Sequence, residues 1–595
     1  MSEPDTPAQP KPGTHACLPF DHVRAGMWAR TRRYAVPRWM IEEATERRLA
    51  GDWRGACAAA GVDVAFDLAE VARRQGPAVA EALEDDLRHF APDLLRWHLP
   101  RYEEEGRRQT LIKPNRVIVL NEYGRQRRAA LQVVTPGGAP QRLALRFGPV
   151  TPADARTVLL QLDWSAARHV WDARHAHELL ARQGGLDRAP FFNADGTPRR
   201  PDELPAENPG PDDPVRFAEW ITLLQDRGDL EQALAAADIA LENRGEAPGI
   251  LHDSPLTGLP KSVLAVHRLR HELRRLARTG IDWYIPFGDQ LMGWPHDFVA
   301  AAHHEDADDP TRSRLRLVLY NGESYKRLQK HSRHHERRAA LPLPEVYWRR
   351  LPDLDLLRAG RLTPEDLHPL VRSALFPARD APGDGRPIGP PDPEPSPVVR
   401  VRCRNVWHKV SYRDGALHMH DHTDEERRRE EALKALGGPV LGCFAVRRSW
   451  TSAGRMPRAL RAQRNELFYR MRHGDTLGVL RMLDLGCDPH ARDGRKDTLL
   501  HLLHHVDHRL LLPRLLAAGL DLEALDELHR TPLFRAVEED ASADLVRALV
   551  QAGARTDVRC FVYTEGEVDL AELIDIRDRR DLDFLKELVA AQGNA

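Results

Sequence analysis

The chain has 595 residues, 42% of them hydrophobic and 30% charged. That is a folded composition, too long for one hydrophobic core and unlike a disordered chain. The 87 Lys and Arg nearly balance the 89 Asp and Glu, leaving a net charge of −2, so overall electrostatics gives no drive towards nucleic acid or anionic membrane. The cations are 78 Arg against 9 Lys, which reads as the codon bias of a GC-rich, bacterial genome and makes arginine the default cation. Cys17, Cys57, Cys403, Cys443, Cys487 and Cys560 are scattered without a C-x-x-C pair. This argues against a disulfide framework or zinc-knuckle spacing and for reduced thiols in the cytoplasm.

Taken in order, residues 1–15 are polar and Pro-rich and read as a disordered tail without a secretory signal. No run approaches 18 apolar residues, so no membrane association is expected. Residues 16–110 read as a helical domain: WMIEEATERRLAGDWRGACAAA (39–60) predicts two helices broken at Gly51-Asp52, and Leu83, Leu87, Phe90, Leu94 and Leu95 follow at helical spacing. Residues 111–183 read as a small antiparallel meander followed by a helix over 152–183. Residues 184–214, rich in Gly, Asn and Pro, read as a linker, and 215–375 as a second helical domain. The Pro/Gly/Asp-rich stretch 376–398 is the clearest linker. A small α/β unit is expected over 399–455, with two strands around Arg413-Asp414-Gly415, a helix in DEERRREEALKALGG and a third strand in VLGCFAVRRSW.

The strongest internal signal lies in 456–595. Leu467, Leu500 and Leu533 recur at 33 residues, as do Asp493 and Asp526, and Thr498 and Thr531; Gly486, Gly519 and Gly553 recur at 33 and 34. Threonine at a helix start can accept a backbone N–H, proline at the first helical position costs no hydrogen bond, and glycine can close the unit in a left-handed conformation. Pro513 fits only if its helix starts late, near Leu510. A divergent fourth unit is expected over Asp569–Gly593, after an inserted CFVYTEGEV.

Thr498-Leu499-Leu500-His501 and Thr531-Pro532-Leu533-Phe534 resemble the Thr-Pro-Leu-His box of ankyrin repeats, with Asn465-Glu466-Leu467-Phe468 as a degenerate copy. The fold class expected is therefore multidomain, mostly α with small α+β units, ending in an ankyrin-repeat α-solenoid of about three repeats plus a divergent cap. The resemblance implies a protein partner held by hairpin tips and the inner face of the first helices. Carried to this chain, those positions are Arg492, Asp493, Arg495, Lys496, Asp526, Glu527, His529 and Arg530 at the tips, and His505, Arg535, Glu538 and Glu539 on the inner face.

Other constellations are weaker. His418, His420 and His422 could line one side of a strand at metal distance, but an extended edge rich in histidine is the ordinary reading, so no metal or other cofactor is expected. His303-His304 and His331-x-x-His334-His335 are similar, and the basic runs 261–278 and 325–338 read as solvated helices before they read as a nucleic-acid surface. No P-loop, G-x-S-x-G or H-E-x-x-H motif occurs. Cys57 and Cys443 read as small core residues, and Trp97, Trp164, Trp171, Trp283 and Trp348 as packing anchors. The leading expectation is a cytoplasmic scaffold or adaptor without identifiable catalysis. The alternatives are an enzyme in the N-terminal region with the repeats as a targeting arm, and a nucleic-acid-associated protein using the two basic runs.

Overall fold

The computed structural model describes the chain apart from residues 1–21, 105–108, 125–128, 136–140, 150–159, 244–263, 278–282, 288–297, 305–314, 321–340, 380–387, 404, 438, 453–455, 563–565 and 594–595. The tail 1–15, the basic run 325–338 and His331, His334 and His335 thus lie outside the described residues. The chain is mainly helical with small sheets, and it divides into two compact units. The first holds 1–33, 40–135 and 144–390; the second holds 391–595 with the short segments 34–39 and 136–143. The boundary at Pro390-Pro391 falls within the Pro/Gly-rich stretch 376–398.

The helices Arg38–Leu49 and Trp53–Ala59 flank Gly51-Asp52, and Asp52 caps the second by accepting the Gly55 N–H at 2.8 Å. Val117 to Val119, Leu131, Val133 and Leu145 are buried in the expected antiparallel meander of Arg116–Tyr123, Ala129–Thr135 and Leu143–Gly148. The sheet is larger than the sequence suggests. Val62–Val64 joins one edge, and Leu160–Asp163 runs parallel to Arg116–Tyr123 on the other, where a helix was expected. The short Leu-x-Leu alternation is a period-two signal too brief to read alone. The same ambiguity hides a second five-stranded sheet, ordered Leu341–Pro342, Trp283–Phe287, Phe298–His304, Leu315–Tyr320 and Ile239–Asn243. Residues 215–375 are therefore mixed α/β, not helical throughout. The stretch 184–214 is irregular, yet Phe191 and Phe192 are buried within it, so it packs as part of the unit.

A buried ion pair ties distant segments of this unit together. Arg32 donates to Asp353 at 2.7 Å and to the Trp97 carbonyl at 2.6 Å, and the Trp97 indole N–H donates to the other Asp353 oxygen at 3.0 Å. Removing one partner would strand a buried charge, which typically costs about 3–5 kcal/mol.

The second unit opens with an antiparallel sheet of Val399–Cys403, Val406–Arg413 and Ala416–Met419. The helix Asp424–Ala435 follows, capped reciprocally by Thr423 and Glu426. Next comes a helix, Gly442–Trp450, where a third strand was expected. Its buried residues Cys443, Phe444, Val446 and Trp450 keep helical spacing, which the dense run of apolar residues disguised.

Helix pairs then succeed one another: Arg458–Arg472 with Thr476–Asp484, Leu500–His505 with His508–Ala517, Pro532–Glu538 with Ala543–Gln551, and Leu570–Ile576 with Asp583–Gly593. Each first helix touches the first helix of the next pair. Leu467, Leu500 and Leu533 sit on three successive first helices, all fully buried. The second helices are capped by Asp475, Asp507 and Ser542. Gly486, Gly519 and Gly553 follow them with φ of 86°, 81° and 100°. At Gly486 an added Cβ would also lie 2.5 Å from the Asp414 nitrogen, so glycine there admits the neighbouring hairpin. The helix around Pro513 begins at His508, earlier than expected, and holds the proline in its interior. Leu500–His505 is a short 3-10 helix, and a strand pair, Arg559–Val562 with Gly566–Asp569, fills the insertion before the last pair.

Candidate functional site

Between one helix pair and the next the chain makes an extended tip loop, and two of these loops are built alike. Asp493 accepts the N–H groups of Arg495 and Asp497 at 2.8 and 2.9 Å, and its own N–H donates to the Asp497 carbonyl. Thirty-three residues on, Asp526 accepts from the N–H groups of Leu528 and Arg530 at 2.8 and 2.9 Å, and its N–H donates to the Arg530 carbonyl. Lys496 and His529 occupy the same place in the two loops and share a left-handed backbone, φ 64° and 59°. The loops also touch: the Glu527 N–H donates to the Arg495 carbonyl at 2.8 Å, and Arg492 donates to the Leu525 carbonyl at 2.9 Å. The strand Arg559–Val562 adjoins the second loop, where the Cys560 thiol approaches the His529 carbonyl at 3.4 Å.

His501 locks one tip to the next. Its Nδ1 accepts the Thr498 N–H at 3.1 Å, so Nε2 carries the proton and donates to the Arg530 carbonyl at 3.0 Å. Burial holds its pKa below the ordinary value, with the nearby Asp497 and Asp526 pulling the other way. At Asp526 burial pushes the carboxyl up, but the Arg530 backbone and guanidinium hydrogen bonds outweigh it and hold the pKa below the ordinary carboxylate value.

Placed in this frame, the twelve residues singled out from the sequence divide. Asp493, Asp526, Arg530, Arg535 and His505 are buried within the hairpins. Arg530 pairs with Asp526 and Glu538, both at 2.8 Å, and Arg535 with Glu538 and Glu539 at 3.1 and 2.8 Å. Glu538 and Glu539 are half-buried in the same network. Arg492 and Arg495 are half-buried as well, and Lys496, Glu527 and His529 are exposed. What the sequence reading missed is apolar: Leu525, Leu528 and Phe561 are 42%, 44% and 51% exposed on adjoining tips. Exposed leucines and a phenylalanine on loops that otherwise hide their apolar atoms were a legible signal only once the loops were located.

The other candidates scatter. His418 is exposed near Asp414, and His420 bonds Ser411 at 3.0 Å. His422 leaves the strand and turns inward, its Nε2 2.7 Å from His408 Nδ1, so the three histidines do not share a site. His303 and His304 end the strand Phe298–His304. On the helix Val266–Ala277, Arg268 is buried and donates to the carbonyls of Arg182, Val346 and Arg349, which removes it from any basic surface. In the first unit a cavity of about 60 Å³ is lined by Trp28, Arg32, Trp97, His98, Arg268 and Arg350. Arg32 and Arg350 in its wall are already paired with carboxylates. Among the described residues no helix is long and apolar enough to cross a membrane. No model of a protein family matches the chain, and no curated protein matches it.

Proposed function

We propose that the chain is a protein-binding scaffold whose last helix pairs form an ankyrin-type stack, with the partner held on the tip loops. The observation that carries the reading is the repeated tip. The same aspartate makes the same two backbone bonds in loops 33 residues apart, and the surface left over is a mixed one of Leu525, Leu528 and Phe561 among Lys496, Glu527 and His529. Rigid loops that spend their polar groups internally and display a few large apolar side chains fit the anchor-and-rim pattern of protein interfaces. The reading places contacts on the tips and withdraws the buried inner-face residues Arg535 and His505 from the interface.

The test is affinity capture with the full chain, wild type against the combined substitutions Leu525→Glu, Leu528→Glu and Phe561→Glu. The expected result is a specific partner with the wild type, and binding weakened at least about tenfold, or about 1.4 kcal/mol, in the variant. Capture of the same partner with unchanged affinity by the variant would overturn the reading.

A further inference from the structure

At the opening of the second unit four side chains converge that share no sequence motif: Cys403, His408, His422 and Cys443. One donor atom from each lies within 4.8 Å of every other. We propose that these four residues bind one tetrahedral divalent ion, zinc foremost, which fastens the three-stranded sheet to the helix Gly442–Trp450.

The fold brings each ligand in by a separate route. Cys403 ends one strand and lies opposite Val406, while His408 lies opposite Val401, so both point to the face that carries the buried Val401, Val410 and Met419. The hairpin between them turns through Asn405 with φ 71°. His422 follows the third strand, and its segment is pinned beside His408: the His420 N–H donates to the Lys409 carbonyl at 3.0 Å, and the Lys409 N–H to Asp421 at 2.7 Å. Cys443 comes from the helix laid across that face. Its neighbour Gly442 has φ 58°, and a Cβ there would lie 2.5 Å from Cys403 Sγ. Glycine is therefore what lets the helix start bring one cysteine against the other.

The donor set selects the ion. Two sulfurs and two imidazole nitrogens suit zinc and not magnesium or calcium, which want oxygen. Bonds of about 2.0–2.3 Å in a tetrahedron place ligands about 3.3–3.8 Å apart, a spacing the cluster reaches by small side-chain movements. Four protein ligands leave no open position, so the ion is structural. Binding replaces two thiol protons with two metal–sulfur bonds and leaves both imidazoles neutral, with no oxidant or reductant needed.

Support also comes from around the ligands. With Nε2 of His422 facing the cluster, its Nδ1 lies 3.5 Å from Glu426. That carboxylate is fixed by accepting the Thr423 N–H at 3.0 Å. A carboxylate behind a metal-bound imidazole orients the ring and raises its basicity. Phe444 stands edge-on to His422 at 5.0 Å between ring centroids and shields it. Tyr412 of the sheet packs on Trp450 of that helix at 3.9 Å, the Trp450 indole N–H donates to the Asp488 carbonyl at 3.1 Å, and the Gly415 N–H donates to the Gly486 carbonyl at 3.2 Å, just beyond the first helix pair.

The test uses the full chain purified without chelator or added metal. Elemental analysis should find about one zinc per chain. Replacement of the ion by Co²⁺ should give sulfur-to-cobalt charge transfer and the intense visible bands of a tetrahedral site. Cys403→Ser and Cys443→Ser should each abolish both signals, whereas the combined His418→Ala and His420→Ala should leave them unchanged. If the serine variants do not fold, the wild-type cobalt spectrum and its one-to-one titration decide alone. Absence of zinc together with no cobalt spectrum would overturn the proposal. So would a Cys403–Cys443 disulfide in protein that takes up no metal, or a cobalt spectrum indifferent to both cysteine substitutions.

Discussion

At the scale of the residue, the account rests on side chains that serve the backbone. His501 is the clearest. It accepts from the Thr498 N–H and donates to the Arg530 carbonyl, an arrangement possible only for the neutral ring. Burial, the largest influence, lowers its pKa. A histidine held below its unfolded value contributes stability that is intact above that value, near 6.5, and is lost as pH falls towards the folded value. Unfolding free energies from urea titrations should therefore fall between about pH 7 and about pH 5 more steeply for the wild type than for His501→Gln, by about 1 kcal/mol. Equal slopes would remove the neutral-ring assignment. Asp526 has its pKa lowered too, its hydrogen bonds outweighing burial. As an acid with a depressed value, its contribution is complete above the ordinary carboxylate range and disappears as pH falls through the folded value. Asp526→Ala and Asp493→Ala should each cost about 1.5–3 kcal/mol, the range for hydrogen bonds to a charged group. A cost near zero in a denaturation series would show that the loops do not depend on these carboxylates.

At the scale of the element, burial decides which leucines matter. Leu533 is fully buried and Leu525 is 42% exposed, though they stand eight residues apart. Leu533→Ala should cost about 2–5 kcal/mol, and Leu525→Ala should stay within about 0.5 kcal/mol. Thr531 caps its helix by accepting the Phe534 N–H at 3.3 Å, and its replacement by alanine should cost about 1 kcal/mol. Chemical denaturation of the three variants checks all three values.

These elements were readable because the signal was multiple: leucine, threonine, aspartate and glycine recurring together constrain one another. Single short runs were not. Phe298–His304 pairs with both Trp283–Phe287 and Leu315–Tyr320, and no local pattern announces such pairing. The helix Gly442–Trp450 looked like a strand because its apolar residues crowd together. The cluster of Cys403, His408, His422 and Cys443 was invisible for the same reason. Its spacings of 5, 14 and 21 residues follow from the folding of a sheet and a helix, not from a local motif. His418 and His420 were visible and misleading, because alternation along a strand puts histidines on one face without closing a site.

At the scale of the whole molecule, the second unit combines two kinds of support. Successive helix pairs bury Leu467, Leu500 and Leu533, and the small sheet and the helix Gly442–Trp450 share one apolar core with them. The first unit is larger and mixed α/β, held by charged networks such as Arg32 with Asp353. Leu525, Leu528 and Phe561 are exposed on neighbouring segments of the second unit, and the proposed function rests on them.

The most direct measurement is photo-crosslinking in the native cell, with a photoreactive residue placed at Leu528 on a tip or at Leu510, which is 52% exposed but lies on a second helix. The account predicts a discrete protein adduct from Leu528 and none from Leu510. The same adducts from both positions, or a discrete adduct from Leu510 alone, would contradict it.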